Sequence, residues 1–269
     1  MGIRVWRDLS SEAFRRLDPA RAVAVLPLAA TEQHGPHLPT GTDSFIAEAL
    51  LAATAARFGA DADVVALPVL EIGASLEHAR FPGTLSLSAA QLIAAITAIG
   101  ASVATAGLRK LVIVSSHGGN VAAMTAAALE CRAQHDLMAV TLTWSRLGLP
   151  EGLVSEAERA YGVHGGLIET SLMLHIRPDL VGEPRGSHPS LQEQLAGRHD
   201  LLRAHGPVGF GWLAGDLNPA GVTGDSGAAT AAIGAAILEH QAAAFASLLR
   251  EIAEEDVEAL LRRGDRGTQ

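Results

Sequence analysis

Between residues 22 and 144 the chain alternates two kinds of apolar pattern. Unbroken runs at Ala22 to Leu28, Asp63 to Leu70, Lys110 to Ser115 and Leu137 to Trp144 read as strands buried on both faces of a parallel sheet. The intervening stretches carry apolar residues at helical spacing: Phe45 to Phe58, Ser88 to Ala106, and a third to about Gln134 that turns Val121, Met124, Ala128 and Cys131 inward. Asp43 or Ser44 is placed to cap the first of these helices and Ser88 the second. Strand followed by helix, repeated, predicts right-handed crossovers and a three-layer α/β/α fold around a mostly parallel sheet.

From Pro178 to Asp225 the pattern dissolves into a segment rich in Gly, Pro and His. A stretch that long without periodicity is expected to cover a pocket or an oligomer contact. A helical pattern from Ala228 to about Arg262 closes the chain, and residues 1–269 read as one domain.

Composition narrows the function. A net charge of -9 and no cluster of Lys and Arg argue against a nucleic-acid partner and favour a small-molecule substrate. Cys131 is the only cysteine, so no internal disulfide forms, and with no signal-peptide core the expected location is the cytoplasm. The apolar stretch Ala228 to Leu238 is too short to span a bilayer, so no membrane partner is expected.

The chemistry-bearing residues gather at strand ends. Glu32, His34, His37 and Asp43 follow the first strand, where open α/β sheets place their ligands. Carboxylate and imidazole together suit zinc, manganese or iron(II). His117, before Gly118-Gly119-Asn120, ends a parallel strand, so its loop should meet the first. His164 and Glu169 form a third cluster, with His164 in a loop and Glu169 in the first turns of a helix. Asn120 and the backbone N–H groups of Gly118 and Gly119 stand at a helix start, able to bind a substrate oxygen. His37, His78 and Glu77 are candidates to orient the ligands or to serve structure alone. His135, His175, His188, His199, His205 and His240 are assigned to structure or surface.

Thr31-Glu32-Gln33-His34-Gly35-Pro36-His37 with Thr42-Asp43, then Glu77-His78 with Phe81-Pro82-Gly83-Thr84, resemble the creatininase family in order and spacing. So do His117-Gly118-Gly119-Asn120, His164 with Glu169-Thr170-Ser171, and Gly221 to Asp225. The resemblance implies a parallel sheet between helices, two divalent cations per subunit with zinc foremost, and a homo-hexamer. Glu32, Asp43 and His117 would hold one cation and His34 with Asp43 the other, Asp43 bridging them. His164 would transfer protons and Ser75 would touch substrate. Creatininase itself carries a tyrosine and a glutamate directly after the third-strand histidine, the glutamate binding the second metal. Gly118 and Gly119 stand there in this chain, which points to the HGGN-type branch and to Glu169 as the replacement donor with a catalytic part.

The activity implied is hydrolysis of a C–N amide bond in a cyclic amide, formamide or small peptide-like substrate, with hydroxide bridging the cations as attacker. Two alternatives stay open: opening of a lactone or cleavage of a carbon–carbon bond beside a ketone on the same site, and a non-catalytic binding subunit. A nucleotide-dependent oxidoreductase is disfavoured, since no Gly-x-Gly-x-x-Gly follows the first strand.

Overall fold

The computed structural model describes residues 2–59 and 62–262. Its centre is a parallel sheet of five strands in the order β1-β3-β2-β4-β5, comprising β1 (Arg4–Val5), β2 (Val23–Leu28), β3 (Val64–Ala66), β4 (Lys110–Ser115) and β5 (Met138–Thr143). Alternation along the central strands builds two cores, because successive side chains point to opposite faces. Ala24, Leu26, Leu28, Leu111 and Ile113 pack under α2 (Ala89–Thr105) and α3 (Val121–His135). Val23, Val25, Val112 and Val114 face α1 (Thr42–Ala55), α4 (Leu167–Ile176) and α5 (Ala231–Glu254). Each fully buried Leu, Ile or Phe in these layers contributes roughly 1.5–3 kcal/mol, which is why the runs read as two-sided strands from sequence.

Sequence and structure differ in several places. Arg4–Val5 pairs in parallel with β3 and adds a fifth strand that a two-residue edge segment gives no pattern to reveal. The strand expected from Asp63 to Leu70 pairs continuously only over Val64–Ala66; Pro68 has no N–H to donate, and Leu70 rejoins β2 through a single bridge to Leu28. Ser88 does cap α2, in a reciprocal box with Gln91. Neither Asp43 nor Ser44 caps α1: the cap position is Gly41, with no side-chain bond, and Asp43 lies inside the first turn. α5 stops at Glu254 because Glu255 is extended, and a separate helical turn spans Val257–Arg262. At 24 residues α5 is long and apolar enough to cross a bilayer by length and composition, yet its Ile237, Phe245 and Leu249 are fully buried in the second core.

The segment from 178 to 225 is only partly irregular. A strand pair of β6 (Ser187–His188) with β7 (Gly224–Asp225) closes it, and two short helices inside it, Leu191–Ala196 and Ala214–Leu217, pack through Leu195, Ala204 and Leu217.

α4 and α5 touch at a glycine. A Cβ on Gly234 would overlap the carbonyl group of Ser171, so only hydrogen fits between the two backbones. Alanine ordinarily gains about 0.5–1 kcal/mol over glycine inside a helix, but here the overlap should win. Gly234→Ala is expected to lower stability by about 1–3 kcal/mol, the usual cost of overpacking. An unchanged denaturant midpoint would show that the helix pair relaxes freely.

Candidate metal centre

The register of the central strands brings two loops together. β2 and β4 end side by side, with Leu28 opposite Ser115. The loop carrying Glu32 and His34 and the loop carrying His117 therefore leave the same sheet edge. Ser116 Oγ donates to the backbone carbonyl of Asp43 (2.8 Å), tying the second loop to the start of α1. His164 joins through a bridge to Thr223, and Glu169 projects from the first turn of α4. Thus Glu32, His34, Asp43, His117, His164 and Glu169 meet in one place although they are spread over about half of the chain.

Their donor atoms form three overlapping sets, each with its atoms within 4.8 Å of one another: Glu32, Asp43 and His117; His34, Asp43 and Glu169; and Glu32, His34 and His164. Asp43 belongs to two of them through different oxygens. Its Oδ2 lies 3.8 Å from His117 Nδ1 and its Oδ1 lies 3.8 Å from His34 Nε2. Glu32 Oε1 is 3.0 Å from His117 Nδ1, and Glu169 Oε2 is 3.8 Å from His34 Nε2.

Backbone carbonyls fix which ring nitrogen of each histidine faces inward. His34 Nδ1 lies 3.0 Å from the Glu32 carbonyl, and His117 Nε2 lies 3.1 Å from the Ala74 carbonyl. A carbonyl only accepts, so each of those nitrogens carries a proton, and His34 Nε2 and His117 Nδ1 are the nitrogens left facing the carboxylates. By the same logic His164 Nε2 donates to the Gln33 carbonyl (2.8 Å), leaving Nδ1 3.7 Å from Glu32 Oε1.

These residues fit a cation. Both carboxylate oxygens of Glu32, His34 Nε2 and Asp43 Oδ2 are buried with no hydrogen-bond partner, whereas buried polar atoms are almost always satisfied. No lysine or arginine lies within ion-pair distance of Glu32, Asp43 or Glu169 among the described residues. Three carboxylates with side chains 0%, 1% and 20% exposed need a compensating positive charge.

Protonation shows the same tension. Burial, then the neighbouring Glu32, drives the Asp43 carboxyl well above its ordinary range, and burial also raises Glu169. Burial opposes the charge on Glu32, but His117 beside it outweighs that and holds the carboxyl low. Burial likewise disfavours a charged His117, yet Glu32, Glu77 and Asp43 together raise it well above the usual imidazole value. His34 is pushed well below that value by burial and by His164.

The supporting residues are now specific. His78 Nε2 lies 3.6 Å from Glu32 Oε1, and burial lowers the His78 pKa to about 4. Glu77 Oε1 lies 3.4 Å from His117 Nε2, and Ser75 Oγ is 3.4 Å from the same atom, buried behind the ring. His37 Nε2 is bonded to the Gly165 carbonyl and Thr170 Oγ1, beneath the His164 loop. Asn120, expected to face substrate, is fully buried: it accepts from Ala74 N–H and donates to the Ala29 carbonyl and Ser115 Oγ, clipping three segments together. Both its N–H donors are spent inside the protein.

The glycine pair divides its roles. Gly118 lines the adjoining cavity with open space where a side chain would stand. A Cβ on Gly119 would collide with Glu77, His117 and the Ala74 carbonyl, so Glu77 fills the room that a side chain at 119 would occupy.

That cavity, about 380 Å³, is lined by Glu169, His117 and His164 together with Ile46, Trp144, Leu149, Leu172 and Arg159. No residue of the 178–225 segment lines it, so of the two roles expected for that segment, a pocket cover or an oligomer contact, the first is not met at this cavity; instead the Gly221 carbonyl accepts a hydrogen bond from Gln33 Nε2 (2.7 Å). Gln33 escaped the sequence reading. It points away from its neighbours Glu32 and His34, and its Nε2 also lies 2.7 Å from His78 Nδ1. Its place between two candidate donors on an extended segment was the available signal.

Three similarities bear on this site. A mycofactocin precursor peptide peptidase from Mycolicibacterium smegmatis is 37% identical over 173 residues, covering 64% of this chain and 64% of that relative's length. A crystal structure of creatinine amidohydrolase (creatininase) superposes with a TM-score of 0.76 at 25% identity, covering 94% of this chain and 98% of that one. A mutant creatininase of the Zn-Zn type is 26% identical with a TM-score of 0.69, covering 93% and 98%. The family model for creatininase (creatinine amidohydrolase) matches residues 7–249, a span that takes in every donor just described, and on that match the chain belongs to the creatininase family.

Proposed function

We infer that this chain is a hydrolase of C–N amide bonds that works with two divalent cations, zinc foremost. The observation that carries the reading is the convergence of buried, unpartnered ligand atoms on Glu32, His34 and Asp43 beside a cavity of substrate size. Glu32, Asp43 and His117 would hold one cation, and His34, Asp43 and Glu169 the other. Cations there would make a bound water acidic near neutral pH and polarise a carbonyl. The relative named for a peptide peptidase and the structure of creatinine amidohydrolase support an amide as the bond broken.

The chain's own residues supply the rest. His164 holds its Nε2 proton on the Gln33 carbonyl, so Nδ1 is the atom that takes a proton from the attacking water and returns it to the departing nitrogen. An amide nitrogen leaves poorly until that proton arrives. Its ring is sandwiched between those of His34 and His78, with centroids 4.3 and 4.2 Å away, which fixes its plane. Trp144, Ile46 and Leu172 exclude water from one wall of the cavity and strengthen the electrostatics inside.

Chelation tests the reading. Dialysis against a strong chelator is expected to abolish hydrolysis of formamides, cyclic amides and short peptides, with recovery on adding back zinc or manganese. Because Asp43 and Glu169 are pushed toward the protonated form without a cation, rebinding in weak buffer should release protons. Full activity in protein shown by elemental analysis to be metal-free would defeat the reading. Turnover of lactones alone would favour the lactone alternative.

A further inference from the structure

The cavity has a charge pattern that the hydrolytic chemistry does not use. Arg159 is the only lysine or arginine among its lining residues, and it sits at the solvent-facing rim. Its Nε donates to the Val154 carbonyl (3.1 Å) and Nη2 reaches the Pro150 carbonyl (3.4 Å). Those contacts anchor the guanidinium and leave most of its five N–H donors unspent. Among the described residues no carboxylate lies within ion-pair distance of it, a state it shares with Arg80 and Arg146, but of these arginines it alone lines the cavity.

The mount is rigid. Glu158, the preceding residue, is buried and accepts from Leu167 N–H (2.8 Å) and Asp225 N–H (3.0 Å). Those bonds fasten the short helix Glu156–Tyr161 to the start of α4, which carries Glu169, and to β7. The backbone that carries Arg159 is thereby tied to the helix that carries Glu169, as a binding residue on a supported element requires. The same cavity is lined by the apolar side chains of Ile46, Trp144, Leu149, Ile168 and Leu172.

Resting on the amide-hydrolase reading, we propose that Arg159 sets specificity by binding a carboxylate on the substrate while the apolar lining residues take its apolar side chain. An unpaired guanidinium anchored on two backbone carbonyls matches a carboxylate in bidentate geometry. The substrate class is thus an N-acylated amino acid or short peptide with an apolar side chain and a free carboxylate.

Calorimetric titration of the metal-loaded protein with N-acetyl-leucine and with N-acetyl-leucinamide tests this. The carboxylate should bind about tenfold or more tighter than the amide, as expected for a charge-assisted pair, and Arg159→Gln should erase the difference while leaving metal content and melting temperature unchanged. Equal affinity in the wild type, or no binding of either compound at millimolar concentration, would overturn the proposal. So would a preference that survives in Arg159→Gln, since the carboxylate would then be held by the cations. The chelation result stands or falls separately, because neutral formamides and cyclic amides report it.

Discussion

Replacing Asp43 with alanine is expected to leave less than one divalent cation per chain and no measurable turnover. The reason is geometric: Oδ1 faces His34 and Oδ2 faces His117, so one substitution removes a donor from both sets. A second consequence separates this loss from simple unfolding. Burial and the neighbouring Glu32 oppose the charge on Asp43, and removing a carboxyl so placed relieves a penalty of several kcal/mol in real proteins. Metal-free Asp43→Ala should therefore melt at the same temperature as the metal-free wild type or above it, while losing the stabilisation that added zinc gives the wild type. Two cations per chain by elemental analysis would refute the shared-ligand role.

His164→Ala should behave differently, retaining both cations while the rate falls by about 10²–10⁴, the usual contribution of a general acid–base group. The distinction matters because His164 Nδ1 also falls within a donor set with Glu32 and His34. Loss of a cation in this variant would make His164 a ligand, and an undiminished rate would remove it from the chemistry. Turnover should recover more for substrates with good leaving groups, which need no proton at the departing atom.

Much of this was legible in the sequence because strong local rules and the fold agreed. β4 runs from Lys110 to Ser115 as its apolar run indicates, and Ser88 caps α2 as its position indicates. The grouping of His117 with Glu32 followed from parallel strands ending on one edge. What escaped detection depends on contacts between distant segments. Asp43 resembles a helix cap, but its carboxylate is drawn into the donor cluster instead. Asn120 resembles an anion binder beside two glycines, but three loops compete for its amide and win. Arg159 lies on a short helix with no motif, and only the cavity shows what it faces.

The excursion between residues 189 and 217 is cinched at its base, where Asn218 Nδ2 donates to the Pro189 carbonyl (2.9 Å), and it buries its own apolar residues. Doubling the length of such a loop costs only about 0.6 kcal/mol in closure entropy. Insertions and deletions can therefore accumulate in its outer part, before the helix Ala214–Leu217 that packs against Leu76–His78, whereas a single added residue in β2 would swap its two cores and swing Glu32 away from the others. The molecule has one region free to drift in length and another locked in register, so new partners or assembly states can be grafted onto the former while the chemistry is inherited intact.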